Sequence, residues 1–185
     1  MEIMKIMKRG VVLVLSILLL IGCSPKNDIA FIYSDRAFEC ELSWELDGVR
    51  YRGTLTAGDI ADTDTGERDI SLTFAEPAAL CGVRAERVDG NTRIYAQNIV
   101  FTNNEISGWL QIAELFRTDG DISESSLVTI GTEQTNRVAL SFSDGTKVEV
   151  YLSNQSGAPI RVCGTVNGME TQADILRFEV KSPRE

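Results

Sequence analysis

The feature that most constrains this fold is a strict alternation of apolar and polar residues on both sides of a two-residue turn. From 38 to 46 the even-numbered residues are apolar, as in a strand with one buried face. Asp47-Gly48 follows, and from 49 to 57 the odd-numbered residues form the apolar set. This change of phase requires a loop of even length. We therefore predict a two-residue hairpin in which Trp44 pairs with Tyr51.

Similar turn signals divide much of the remaining chain. Asp89-Gly90 predicts a second hairpin, and Ser143-Asp144-Gly145 predicts a three-residue loop that pairs Leu140 with Val148. Residues 118–126 are polar and predict a loop. Between about eight and eleven strands joined by tight turns are expected, so the chain is mainly β and antiparallel.

One segment near the middle of the chain, from Ser107 to Phe116, is predicted to be helical. It is apolar around more than half of its circumference, so it must be covered on one broad face or must itself cover something. An antiparallel sheet of high curvature, wrapped around this helix, would suit the pattern. A β-sandwich is the alternative.

The first 22 residues have the layout of a secretory signal. Three basic residues precede an apolar run from 11 to 21, which is too short to span a membrane comfortably. Leu20-Ile21-Gly22-Cys23 then resembles the lipobox of bacterial lipoproteins. The resemblance implies that Cys23 becomes the first mature residue and bears a thioether-linked diacylglycerol.

The sequence thus predicts a signal peptide at 1–22, a lipidated cysteine and tether at 23–37, and one β-rich domain at 38–185. Removing the leader takes away three basic residues and one acidic residue, so the net charge falls from −9 to −11. Such a domain is repelled by nucleic acid and by anionic headgroups, so we expect no nucleic-acid partner. The lipid is expected to hold it at the extracytoplasmic face of the cell membrane.

The chain has no histidine, which excludes Ser-His-Asp and Cys-His catalysis and the commonest zinc ligand. Cys40, Cys81 and Cys163 are widely spaced, and whether two of them form a disulfide stays open. The acidic loop at 62–67 lacks the register of a calcium loop. No pair of carboxylates stands out for hydrolysis. We expect neither an enzyme nor a metal or cofactor.

The order and spacing of these elements is similar to the lipoprotein-localisation-factor superfamily, the LolA- and LolB-like proteins, in the branch of small lipoproteins of Gram-positive bacteria. The resemblance spans roughly 38–180. It includes F-E-C-E-L-S-W-E-L-D-G-V-R-Y-R-G-T-L at 38–55, the mid-chain helix and the Ser-Gly-x-Pro turn at 156–159. It implies a single, strongly curved antiparallel sheet, an open half-barrel, with one or two helices on its concave side. It also implies that the apolar concavity holds acyl chains. No residue matches the cavity arginine of such carriers, since Arg84, Arg87 and Arg93 lie in a hairpin and are expected at the surface.

Eight apolar residues are expected to line the concave side and to bind a hydrophobic ligand: Leu42, Trp44, Tyr51, Leu55, Trp109, Ile112, Leu115 and Phe116. Aromatic and aliphatic stripes at this spacing also form filled cores. Two functions therefore stay open. One is a lipid-anchored protein that binds an acyl chain, a lipid or another hydrophobic small molecule. The alternative is a lipid-anchored interaction module with a filled core that contacts another envelope protein.

Overall fold

The computed structural model describes residues 31–59, 68–102 and 104–182, which form one antiparallel sheet of eleven strands. The leader, Cys23 and the loop at 60–67 lie outside the described residues, so the predictions made for them are not addressed. The strands are β1 Phe38–Leu46, β2 Val49–Ala57, β3 Ile70–Glu76, β4 Arg84–Val88, β5 Asn91–Ala96, β6 Ile99–Thr102, β7 Asp121–Ile130, β8 Glu133–Ser141, β9 Lys147–Ser153, β10 Pro159–Val166 and β11 Met169–Val180.

The first and last strands, β1 and β11, pair in the middle of the sheet, and each half of the sheet consists of consecutive strands. The strand order is β6-β5-β4-β3-β2-β1-β11-β10-β9-β8-β7, so β1 to β6 run outward to one edge and β7 to β11 return from the other. The sheet is open, and its architecture is the predicted half-barrel rather than a sandwich. Because β6 and β7 are opposite edges, the segment that joins them must cross one face of the sheet.

The predicted register of the first hairpin is confirmed at every pair. Trp44 faces Tyr51, and on the other face Glu45 is opposite Arg50. Asp47 and Gly48 have φ angles of 52° and 71°, the left-handed values that a tight two-residue turn between twisted strands requires. The loop at 143–145 likewise pairs Leu140 with Val148.

The prediction of a polar loop at 118–126 was wrong in part, because β7 begins at Asp121. Among the described strands it is an edge that pairs with β8 alone, and it is largely solvent-exposed. Ile122 and Leu127 are 43% and 68% exposed. An edge strand with two wet faces has no apolar alternation, so its sequence resembles that of a loop.

The segment that crosses the sheet is a 3₁₀ helix, Asn104–Phe116, which we call the crossover helix. It begins three residues before the predicted helix, and its length is uncommon for 3₁₀ geometry. Its described side chains repeat with a period of three. Trp109, Ile112 and Leu115 form one row, Leu110, Ala113 and Phe116 a second row, and Gln111 and Glu114 a polar third row.

The three-residue repeat of the side chains matches the 3₁₀ geometry of the backbone. With three residues per turn, side chains three apart lie directly above one another, so the polar row stays toward the surface and both apolar rows face the core, where all their members but Trp109 are buried. In an α-helix the same rows would drift by about 60° per repeat and would carry polar groups into the core. The crossover helix contacts β3, β4 and β5 in one half of the sheet and β9 and β10 in the other.

The core lies between the crossover helix and the face of the sheet that it covers, which we call the inner face. Leu42, Leu55, Leu72, Val150 and Val162 are all fully buried there. The outer face is polar and includes the ion pairs Glu41–Arg52, Arg137–Glu149 and Arg161–Asp174.

Two residues of the predicted tether also belong to the core. Phe31 and Tyr33 are 7% and 0% exposed, and Tyr33 packs edge-on against Phe38, Phe116 and Phe178. The compact unit therefore includes residues from Phe31 onward, ahead of the predicted domain start at 38.

The three cysteines that the structure describes are free thiols. Cys40 is buried, Cys163 half-buried and Cys81 exposed. Separately, none of the helices within the described ranges has both the length and the apolar character needed to cross a membrane.

Candidate functional site

The eight residues predicted to bind a ligand are all on the inner-face side, but the structure divides them among three places. Leu42, Ile112 and Leu115 are at most 1% exposed and fill the centre beneath the crossover helix. They contact other core side chains, so a ligand reaches them only if the helix moves. The filled centre corresponds to the alternative that the sequence left open for these positions.

Three predicted aromatic residues cluster around Phe74, which was not among the predicted site residues. Trp44 stacks on Tyr51 with ring centroids 5.3 Å apart, and Trp109 meets Phe74 edge-on at 5.4 Å. Trp109 is 37% exposed, so this cluster reaches the surface at the N-terminal part of the crossover helix. Phe74 belongs to the apolar alternation of β3, and that alternation is the signal that could have identified it.

The remaining two, Leu55 and Phe116, line a cavity of about 440 Å³ beside the C-terminal end of the crossover helix. This volume lies within the range of small-molecule sites. The apolar part of the wall comes from β1, β2, β3 and the helix, namely Phe38, Leu55, Ala57, Ile70, Ala113 and Phe116. The polar part is Ser34, Arg68, Arg87, Glu114, Arg117, Thr118 and Asp119.

Arg87 enters this cavity because of its position on β4. Ala85, two residues earlier, is fully buried on the inner face, and side chains two apart on a strand share a face. The expectation that Arg87 is a surface residue of its hairpin was therefore wrong, while Arg84 and Arg93 are exposed. Once the strand boundaries are known, the two-residue spacing from Ala85 is enough to place Arg87 on the inner face.

The guanidinium of Arg87 is only partly satisfied. Its Nη1 and Nη2 each donate to Glu114 Oε1 over 3.3 Å. Its Nε is buried and has no hydrogen-bond acceptor among the residues that the structure describes. Buried donors are normally paired, so a buried nitrogen without an acceptor, on an arginine that lines a cavity, is notable.

The other two arginines of the wall are held by the protein itself. Arg117 donates to both oxygens of Asp119 at 3.2 Å and to Asp144 Oδ2 at 3.0 Å, and lies over the Phe142 ring. The hydrogen bonds to Asp119 and Asp144 raise the pKa of Arg117, and the Arg117 guanidinium in turn lowers the pKa of Asp119. Arg68 donates to the carbonyl oxygens of Tyr33 and Ser34. Burial lowers the pKa of Arg68, against the opposing effect of Asp35.

The fold and this cavity define the class of protein: an open antiparallel half-barrel, crossed by one helix on its inner face, with a mixed apolar and cationic cavity at one end of that helix. No model of a known protein family matches the sequence, and no curated protein is similar to it in sequence.

Solved structures with a similar fold do exist. An uncharacterized conserved protein from Thermus thermophilus aligns over 81% of this chain and 82% of its own, with 10% identity and a TM-score of 0.49. MucB aligns over 86% of this chain with 15% identity and a TM-score of 0.48, and this chain spans only 58% of MucB. A LolA superfamily protein from Nitrosomonas europaea aligns over 84% of this chain and 91% of its own, with 10% identity and a TM-score of 0.43.

The neighbours thus include the superfamily that the sequence resembles, at low identity. The similarity is one of fold alone, and it assigns neither a ligand nor a partner to this chain.

Proposed function

We propose that this protein is a lipoprotein, anchored by Cys23 at the extracytoplasmic face of the cell membrane, that binds an acyl chain or a similar hydrophobic ligand. The observation that supports binding is the cavity of about 440 Å³ beside Phe116, whose wall has an apolar part formed by the sheet and the crossover helix. The order of charge, apolar run, Gly22 and Cys23 supports the anchor. The resemblance to small lipoproteins of Gram-positive bacteria belongs to the same proposal.

This proposal moves the ligand site from the centre of the inner face to the end of the crossover helix. Leu55 and Phe116 remain in the site, and Phe38, Ile70 and Ala113 join them. Apolar surface buried against a ligand contributes roughly 25 cal/mol per Å² before the losses of association are subtracted. No proton transfer or bond cleavage is part of the proposed function.

The test is native mass spectrometry of the full chain released from zwitterionic nanodiscs after incubation with lipid extracts. We expect a discrete adduct of lipid mass that is lost in Ala57→Leu, because the larger side chain occupies the cavity. Thr56→Leu adds a comparable side chain on the opposite face of the same strand and is expected to retain the adduct. Ala113→Leu fills the cavity from the helix side and serves if Ala57→Leu does not fold.

The same spectra test the anchor, because thioether-linked diacylglycerol adds a fixed mass that Cys23→Ser abolishes. Absence of that mass contradicts lipidation. A chain that stays free of adduct with every lipid, or an adduct that survives both cavity-filling variants, contradicts binding in this cavity.

The alternative, an interaction module, is supported by strand β6. Ile99, Val100 and Phe101 lie consecutively on an edge strand and are 57%, 54% and 49% exposed. Exposed apolar edges pair readily with an added strand. A chain without any lipid adduct, captured by an envelope protein through β6 and released by Val100→Lys, would establish this alternative.

A further inference from the structure

The cavity combines an apolar wall with a cation that has unused hydrogen-bonding capacity. Phe38, Leu55 and Phe116 supply apolar surface, and Arg87 extends from β4 into the same space. A ligand that fits both features has a hydrocarbon chain and a negatively charged end. A purely polar anion would leave the apolar wall without a partner, and an uncharged chain would leave Arg87 Nε unpaired.

Of the three arginines in the wall, Arg87 has a buried nitrogen, Nε, for which no described residue supplies an acceptor. Arg117 already holds Asp119 through two parallel hydrogen bonds, the geometry in which guanidinium and carboxylate match. Arg87 instead directs both terminal nitrogens at a single oxygen of Glu114, at 3.3 Å each. A carboxylate or phosphate with two free oxygens could engage Nε and one Nη side by side, which Glu114 does not do here.

The arginines of the cavity contrast with the negative net charge of the whole chain. The chain has a net charge of −9, so its overall field repels anions. Three arginines nevertheless line one cavity with two carboxylates, Glu114 and Asp119. In a partly water-excluded cavity such a local cation excess acts on a ligand more strongly than distant surface charges do.

Resting on the function proposed above, we propose that the cavity binds an anionic amphiphile whose carboxylate or phosphate pairs with Arg87 and displaces Glu114. The hydrocarbon chain lies along Phe38, Leu55 and Phe116. Glu114 belongs to the polar row of the crossover helix and acts as an internal competitor for the same guanidinium. Its removal therefore strengthens anion binding, whereas removal of Arg87 weakens it.

The test uses the full chain in zwitterionic nanodiscs and three probes with the same twelve-carbon chain: dodecanoate, dodecyl phosphate and 1-dodecanol. Bound probe is counted by native mass spectrometry, and empty nanodiscs are titrated in parallel to subtract partitioning. The variants are Arg87→Gln and Glu114→Gln, with Arg93→Gln as the matched control. Arg93 is an exposed arginine on the adjacent strand β5.

We expect at least one anionic probe to bind about tenfold more tightly than 1-dodecanol, the factor that one charge-assisted hydrogen-bonded pair supplies. Arg87→Gln is expected to reduce its affinity to that of the alcohol. Glu114→Gln is expected to raise it severalfold, and Arg93→Gln to leave it unchanged. Preference for dodecanoate indicates a fatty acid as the source, and preference for dodecyl phosphate indicates a lipid phosphate.

Equal binding of all three probes, or an anion preference that Arg87→Gln leaves intact, overturns this inference while the proposed binding of hydrocarbon chains stands. If none of the three probes binds, the proposed function itself fails and this inference fails with it. The Glu114→Gln result remains decisive if Arg87→Gln does not fold, because unchanged anion affinity in Glu114→Gln contradicts the competition.

Discussion

Gly164 of β10 lies against Leu115 of the crossover helix, where no side chain would fit. A Cβ built on Gly164 would be 2.7 Å from Leu115 Cδ2 and 3.1 Å from the carbonyl oxygen of Lys147. Leu115 is 1% exposed and held by the core around it. The absence of a side chain at 164 thus lets the helix approach the second half of the sheet.

Gly164→Ala is expected to lower the free energy of unfolding by about 1–3 kcal/mol, because the added methyl group must displace Leu115 or the β9 backbone. Gly58→Ala is the control, since its Cβ would be an unstrained 3.6 Å from Asp69. Urea denaturation followed by tryptophan fluorescence measures both. Equal stability of the two variants would contradict the close approach.

Tyr33→Phe is expected to preserve or increase stability, by up to about 1 kcal/mol. The Tyr33 hydroxyl is buried and has no hydrogen-bond partner within the described ranges, so its removal relieves an unsatisfied polar group. In contrast, Tyr151 donates to Glu149 at 2.9 Å, and Tyr151→Phe is expected to be destabilising by about 0.5–1.5 kcal/mol. Thermal unfolding of both variants measures the two effects. A lower stability of Tyr33→Phe would contradict the prediction and would show that the hydroxyl has a hydrogen-bond partner.

The thiols are expected to react with a thiolate-directed reagent at pH 8 in the order Cys81, Cys163, Cys40. Cys81 is exposed, while burial raises the pKa of Cys163 to about 11, leaving about one thiolate in a thousand at pH 8. Burial raises the pKa of Cys40 as well, and its side chain is 1% exposed, so it should react only on unfolding.

Counting thiols in the denatured full chain extends this measurement. A thioether at Cys23 leaves three reactive thiols, whereas an unmodified Cys23 leaves four. Cys81→Ser should remove only the fast phase. Where the count shows that Cys23 is modified, a fast phase that persists in Cys81→Ser would contradict the burial of Cys40 and Cys163.

Acid is expected to destabilise the fold as the pH drops from about 4.5 toward 2. Arg137 lowers the pKa of Glu149 from 4.5, Arg117 lowers that of Asp119 from 3.8, and the Thr146 N–H lowers that of Asp144 to about 2. The unfolded chain therefore binds protons first as the pH falls, and the stability these groups contribute above that range is lost.

Denaturation midpoints between pH 7 and pH 2 measure this loss. Asp144→Asn should flatten the slope at its acidic end, because one of the three groups no longer titrates. Asp121→Asn is the control, since the Asp121 side chain makes no hydrogen bond or ion pair with other described residues. Identical slopes in the two variants would contradict the assigned cause.

Local pattern was sufficient wherever the structure depends on neighbours in the sequence. The pairing of Trp44 with Tyr51 follows from alternation and the length of the turn, because a shift by one residue would expose every apolar side chain. The pairing of Leu140 with Val148 follows in the same way. Strand β7 could not be found like this, since an edge strand buries too little to show a pattern.

The crossover helix could be predicted from the sequence only in part. Its apolar, apolar, polar repeat is visible in the sequence and indicates a period of three, but a period of 3.6 also buries most of the same residues. In the structure, the polar row of the helix meets polar groups of the sheet and its turns. Gln111 accepts the backbone N–H of Asn167 at 2.7 Å, and Glu114 meets Arg87.

By itself, the sequence determined the registers of the hairpins that pair Trp44 with Tyr51 and Leu140 with Val148, and the apolar face that the core requires, because these depend on turn length and on alternation within one hairpin. It also contains the motif on which the proposed anchor at Cys23 rests. Only the tertiary structure decided that the middle of the inner face is filled and that a cavity remains beside Phe116. The cavity depends on where the crossover helix, which joins opposite edges of the sheet, lies on the inner face. No local sequence pattern encodes the distance between β4 and residue 114.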